Sequence, residues 1–593
     1  MMRGARWSKC AGRSCWGALA CALGVAVLAG CADPLGIIQE RPEDLAPQLP
    51  ARESTSARSL KLEDFRRSGP NGTQQPAEAA TPEIIAARAS AITSAGAGAV
   101  SWSLSQVLAQ AVVANLELQA SLLDPKIAGE NLSAERARFE AVFVPSARFQ
   151  NDDNPTLNTT TSNNQRSTSV RGGVNVPLRT GGRATIGLSG SYLESDNSFL
   201  TNQETYSSGV DASVTLPFLR GSGRAVNAIP IKIAGYQTDL ARLQTKLQII
   251  GVLASTERAY WNLVAARQQL VVRQKQLELA QEQLARARRR IDAGDAAEIE
   301  ATRAESGVAS SLGEIISAET AVLIAQRELK RLVISPDAPV QGDTGIVPTT
   351  QPEATGYALD TARLLTLAAQ NRTELLQTEL ELLVDALRID SAKDATRPLL
   401  NGEASYRYDG LGDTFYGSTR TLTGGNFQSW GVGISGEVPL NGNQSAVANL
   451  RQSMLVRTQR LITGEARRET IKQDVLDAVD RVNSAWQRII AAQQSSILAG
   501  RTLEAEQRQF DAGLRTSTDV LDAATRLSDS QSQEVRALAD YRRSLVDLAV
   551  ATGTVLGAQD IRWEALPEVG DVSTRDPPGE RTPSGPTSPT SQP

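Results

Sequence analysis

The 593-residue chain contains no histidine. That excludes a Ser-His-Asp triad, a histidine general base and a histidine-ligated metal. Cysteine is nearly as scarce: there are 4, and Cys10, Cys15 and Cys21 fall within the first thirty positions. Only Cys31 lies beyond them, so neither a disulfide framework nor a Cys/His zinc site is expected. Of 3 methionines, only Met454 lies outside the first two positions, which leaves a soft metal without thioether ligands. The glycine turns Thr180-Gly-Gly-Arg183 and Gly221-Ser-Gly-Arg224 lack the Lys-Ser/Thr of a phosphate loop. No catalytic residue, metal site or enzyme activity is expected. Beyond the first thirty residues no run of eighteen apolar residues is present, so no transmembrane helix is expected. Entry into a membrane is left to a lipid or a β-barrel.

The ends of the chain read as outside the fold. Arg3, Arg6, Lys9 and Arg13 precede an apolar stretch, Cys15 to Val27, that closes in Leu28-Ala29-Gly30-Cys31. This resembles a bacterial lipoprotein signal, with residues 1–30 removed and Cys31 diacylated. The residue after the cysteine is Ala32 and not an aspartate, which by resemblance to lipoprotein sorting rules permits transfer to the outer membrane. Removing four basic residues takes the net charge from −5 to near −9, which does not suggest a nucleic-acid partner. Residues 31–99 read as a flexible arm rich in Pro, Ala, Glu, Arg and Ser, and 558–593 as a disordered tail.

Between the ends one pattern occurs twice. A short helical segment opens each half, after Ser103 and after Ala358, and a proline (Pro145, Pro398) precedes strand-like sequence. Then come a proline, a glycine-rich turn and a long helix, as in VTLPFLRGSGRAVNAI from Val214 and GEVPLNGNQSAVANL from Gly436. The pattern predicts one unit used twice: a first repeat over 100–335 with strands about 146–218, a linker over 336–357, and a second repeat over 358–557. In the second, strands fall at about 402–438 and a helical hairpin at about 441–557. Apolar residues alternate with small or polar ones at Trp430, Val432 and Ile434, at Val210, Ala212 and Val214, at Ile186 and Leu188, and at Val170, Val174 and Val176. Period two fits strands facing lipid on one side and water on the other, and equally a soluble half-buried sheet. From about Gln237 to Ile291 a ridge runs through Tyr260, Leu263, Leu270, Leu277 and Leu284, and Ile471, Val475, Val479, Val482 and Ile489 repeat it in the second half. Spacings of three and four mark coiled-coil-like seams. About forty-five helical residues would run roughly 65–70 Å.

Paired strands, long helices, duplication and the lipoprotein signal together resemble the outer membrane efflux protein family of TolC-type channels. The residues that carry the likeness are FDAGLRTSTDVLDAATRLSDSQ, from Phe510, and VPLNGNQSAVANL, from Val438. The resemblance implies a mixed α and β membrane protein. Three protomers would share one barrel, about four strands from each, continued by a long helical barrel across the periplasm. It implies a homotrimer in outer membrane lipid, working with a periplasmic adaptor and an inner membrane pump as the exit duct of a tripartite efflux system. No cofactor is implied beyond the lipid on Cys31. A type I protein secretion duct has the same architecture. A lipid-anchored periplasmic coiled-coil tether without a pore is the reading from another class, and it would need no paired, lipid-facing strands.

The same resemblance places a periplasmic gate at the far ends of the hairpins, with turns at Gly294 and Gly513. Asp519 and Asp522, three apart on one helix face, would form acidic rings in a narrow pore entrance. Phe510 and Arg515 would hold neighbouring hairpins together, with Glu298 or Glu300 as the acidic partner. Asp519 also stands where an aspartate caps a helix. The strand region of the first half exceeds that of the second by about thirty residues, which is either an added hairpin or a long loop.

Overall fold

The computed structural model describes residues 99–558 apart from 154, 156–163, 197–201 and 343, together with 87 and 90. The signal, Cys31, nearly all of the N-terminal arm and the C-terminal tail beyond 558 lie outside the described residues. The chain divides into two compact units that cut across the two sequence halves. One comprises described residues of Arg138–Asn227 and Arg397–Gly442, and the other those of Ala77–Ala137, Ala228–Thr396 and Asn443–Pro593.

The first unit is a single antiparallel sheet. Its strands are β2 (Val142–Asp153), β3 (Asn164–Pro177), β4 (Arg183–Ser195), β5 (Glu204–Pro217), β7 (Leu399–Gly412) and β8 (Gln428–Glu437), paired in that order. The four strands expected per protomer are therefore six, because the longer first-half region folds as four strands rather than a pair with a long loop. The register aligns the alternating residues across the sheet. Phe143 pairs with Val174, Val174 with Ile186, Ile186 with Ala212, Ala212 with Tyr406, and Tyr406 with Trp430. Paired side chains share a face, so one face is apolar from edge to edge. The other carries Ser167, Arg171, Ser189, Asp211, Ser405 and Arg407, and there Arg171 and Asp211 form an ion pair at 2.7 Å. The apolar face stays open: Ile186, Leu188, Trp430, Val432 and Ile434 are all at least 60% exposed.

A short helix missing from the sequence reading, α9 (Phe415–Thr423), packs on β7 and β5 after the chain leaves β7. Thr414 caps it through Gly417 N–H. Only glycine fits beneath it: a Cβ on Gly410 or Gly412 would run into the backbone at Ser418 or Gly417.

The second unit is helical. It begins with β1 (Val100–Trp102), α1 (Leu104–Ala114), α2 (Leu116–Ser121) and α3 (Asp124–Ala137). It continues after the short α4 (Arg224–Asn227) of the sheet unit with α5 (Ile229–Asp292) and α6 (Ile299–Val333). Then come β6 (Ile346–Pro348), α7 (Thr361–Asn371) and α8 (Thr373–Ala395), and after the second strand pair α10 (Gln444–Asp511), α11 (Ser517–Thr552) and α12 (Val555–Ala558). β6 lies in the segment expected to be linker, where it pairs with β1 and buries Ile346. α5 and α10 have 64 and 68 residues, about 95–100 Å each at 1.5 Å per residue. The predicted ridges face inward. Tyr260, Leu263, Leu270 and Leu277 join Ile315, Val322 and Leu329 of α6 in one core, and Ile471, Val475, Val479, Val482 and Ile489 join Tyr541 and Leu548 of α11 in another.

α6 differs from expectation in one respect. It is the one described helix long and apolar enough to cross a membrane by length and composition. Its buried positions recur at helical spacing (Ala304, Val308, Ser311, Ile315, Val322, Leu329), and the core they share with α5 accounts for one face only, since Ile316 and Ile324 remain exposed.

Candidate functional site: the hairpin tips

Both hairpins turn by the same chemistry. At the end of α5, Gly294 (φ 82°) donates its N–H to Ile291 O and Asp295 donates to Arg290 O, at 2.9 and 2.8 Å. At the end of α10, Gly513 (φ 76°) donates to Phe510 O and Leu514 to Gln509 O, both at 2.9 Å. This crossed pair of bonds satisfies carbonyls the helix end would leave unpaired, and its left-handed residue favours glycine.

The returning helix α11 starts with a capping box. The Thr516 hydroxyl caps the first turn, while Asp519 Oδ2 accepts from Thr516 N–H at 2.9 Å and from its hydroxyl at 2.8 Å. Donation from Thr516, backbone first and hydroxyl second, outweighs slight burial and holds the Asp519 carboxyl below the usual aspartate range. Arg515 and Arg303 add to the effect. Asp519 thus has the capping geometry. Asp522, one turn on, is exposed and borders a groove between α5, α6 and α11 lined also by Gln276, Arg303, Thr518 and Thr525.

Arg515 reaches back along its own hairpin. Its Nε donates to Gln509 Oε1 at 3.0 Å and lies 3.2 Å from Glu506 Oε2. Phe510 is buried among Leu503, Val520, Ala523 and Ala524. The two hairpins are stapled elsewhere. Arg290, in the last turn of α5, lays its guanidinium 4.9 Å from the Phe510 ring centre and donates to Phe510 O at 2.7 Å. Glu300, in the first turn of α6, accepts from Ser517 N–H at 2.8 Å and pairs with Arg303 at 2.7 Å. Burial works to raise the Glu300 pKa, but Ser517 and Arg303 overcome it and the net shift is downward. Of the two carboxylates considered, Glu300 is the one that reaches the second hairpin, through Ser517, and neither is the ion-pair partner of Arg515, which is Glu506. Glu298 stands exposed at the N-cap of α6 and makes no side-chain capping bond. Arg290 was missed as well. The run Arg288-Arg289-Arg290 in an otherwise mixed helix was its signal in the sequence.

The family model described as "outer membrane efflux protein" matches residues 184–333 and 364–554, more than half of the chain. The chain belongs to the outer membrane efflux protein family. Among curated relatives, outer membrane protein TolC of Vibrio cholerae serotype O1 is 28% identical over 200 residues, which is 33% of this chain and 44% of that protein. The aligned part thus spans less than half of that relative's length. Among solved structures, the outer-membrane channel OprN superposes with a TM-score of 0.58 at 15% identity, over 76% of this chain and 90% of that one. The CmeC outer membrane channel of Campylobacter jejuni gives 0.58 at 14% identity, over 76% and 85%. At these identities the structural likeness establishes the fold. Within this efflux family fold, the apolar and polar faces of the sheet and the double-stapled tips are the features on which a functional reading must stand.

Proposed function

We propose that the chain is the outer membrane exit channel of a tripartite efflux system. Three copies close their sheets into one barrel, and their helices form a tunnel toward a periplasmic adaptor and an inner membrane pump. The lipid on Cys31 adds an anchor, and each copy is one structural unit used twice. The observation that carries this reading is the sheet, one face of which is apolar from edge to edge while the other is mostly polar, as a wall between lipid and water requires. A tether would need no such wall. The helices supply a second support. Leu455, Ile462, Leu476, Ile490 and Ile497 of α10 fall at multiples of seven residues, and all are exposed in the single chain. A heptad stripe of this kind, interrupted at Glu469 and Asn483, suits a neighbouring helix.

Asp519 and Asp522, repeated by threefold symmetry, give a ring of carboxylates at the tips that favours cations. Single-channel conductance in a planar bilayer tests this. The wild type is expected to pass a small, cation-selective current, and Asp519→Asn with Asp522→Asn to lose much of the selectivity. Unchanged selectivity would return Asp519 to helix capping alone and leave Asp522 an exposed groove residue. No current from a folded trimer, even after Arg290→Ala loosens the tips, would sink the channel reading.

A further inference from the structure

The family match begins at Ala184, the second residue of β4, so β2 and β3 both precede it. Yet this hairpin is built into the sheet. β2 and β3 pair over twelve positions, from Val142↔Asn175 to Asp153↔Asn164, and β3 pairs with β4 over thirteen. Arg171 of β3 reaches past β4 to Asp211 of β5, and the β3–β4 turn is tied to the passage after β5 by Gly223 N–H donating to Thr180 O at 3.0 Å. From Pro145 onward the hairpin also follows the sidedness of the rest, Val142 and Val144 at the start of β2 being the apolar exceptions on the polar face. Ala147 pairs with Val170 on the apolar face, and Ser146 with Arg171 on the polar one. A hairpin in water outside a barrel would have no reason to continue an apolar face that ends in the exposed Phe143 and Phe149.

Among the described residues, the unpaired edges of the sheet are β2 and β8. Each presents a free row of backbone N–H and C=O groups, which a bilayer core cannot satisfy. An even number of antiparallel strands makes β2 and β8 run in opposite directions. A second copy can therefore dock its β8 on β2 and continue the antiparallel order. We infer that the β2–β3 hairpin is part of the membrane wall, and that copies of this chain join through β2 of one and β8 of the next, six strands per copy. This rests on the proposed channel of three copies, which then closes with about eighteen strands rather than about twelve. Because diameter grows roughly linearly with strand number, the barrel is about half again as wide.

Cysteine labelling with a membrane-impermeant maleimide on the full-length protein in liposomes tests the wall. Small substitutions on β2, Ser146→Cys and Ala147→Cys, are compared with Ser435→Cys and Ile434→Cys on β8, over the wild-type background. The expected result is labelling at 146 and 435, and at least tenfold less at 147 and 434. Alternation on β8 but not on β2 overturns the inference and leaves the channel standing. Loss of alternation on both overturns the channel reading and the inference together. Oxidation of Ser435→Cys paired with Ser146→Cys, Arg148→Cys or Gln150→Cys tests the seam. One of these pairs is expected to give covalent oligomers. Covalent oligomers only when Ser435→Cys is paired with Ser189→Cys on β4, or with none of them, refute the seam.

Discussion

At the scale of single residues, the tip is held by carboxylates acting on backbone donors. Asp519 illustrates how a cap and a pore residue can be separated. Asp519→Asn keeps an oxygen that can accept from Thr516 and removes the charge. The α11 start should then stay protected in hydrogen exchange while any cation preference falls. Thr516→Ala removes the N-cap hydroxyl itself and should cost about 1 kcal/mol locally, read as faster exchange over residues 514–520 with selectivity kept. The reverse pattern would mean that Asp519 acts only through the cap. Arg290 makes a second separation possible. It gives a charge-assisted bond to Phe510 O and a cation–π contact. Arg290→Ala should weaken the staple by about 1–3 kcal/mol, and Arg290→Lys should recover only part, since a point charge lacks the planar fork. Protection of the 508–516 segment in the two variants would check the order.

At the scale of elements, the long helices divide their apolar residues between two tasks. Tyr260 and Val475 fill cores within the chain, whereas Leu476 and Ile490 stand in the open. Leu476→Asp with Ile490→Asp should leave the fold of the chain within about 0.5 kcal/mol, because exposed positions tolerate change, yet abolish the proposed trimer. Light scattering of the purified variant beside a thermal melt distinguishes the two effects. A trimer that survives both charges would show that this stripe is not a seam. Much of this was legible in the sequence. The ridges of α5 and α10, both tip glycines and most of the alternating sets stood where the structure has them, because helical and strand periodicities report burial directly. Three features were not. β2 opens with three consecutive apolar residues, Val142 to Val144, and then Pro145, which hides period two; proline is tolerated there because β2 is an edge. α9 is nine residues of mostly Thr, Gly and Ser, and what fixes it is the bare glycine surface below it on β7, which no local pattern records. The choice between Glu298 and Glu300 depends on which carboxylate faces Ser517 across the second hairpin, a contact over 217 positions.

At the scale of the whole molecule, the tip chemistry predicts how the assembled channel answers to pH. Glu300 and Asp519 both have folded pKa values below their ordinary ones. For a depressed carboxylate, the stabilisation is present above the unfolded pKa and is lost as pH falls through the folded value. The tip contacts should therefore hold unchanged from neutral pH down to about 4–5 and fail below that. In the proposed trimer, acidification should thus do two things together: raise the small conductance as the hairpins part, and reduce cation preference as Asp519 neutralises. Glu300→Gln, which removes the ion pair with Arg303, should show the raised conductance already at neutral pH, Asp519→Asn the reduced cation preference, and the double variant should respond much less to acid. Conductance recorded from pH 7 to pH 3 in the two proteins checks the sign. A wild-type current and selectivity flat across that range would place the constriction away from the tips and return their carboxylates to holding turns.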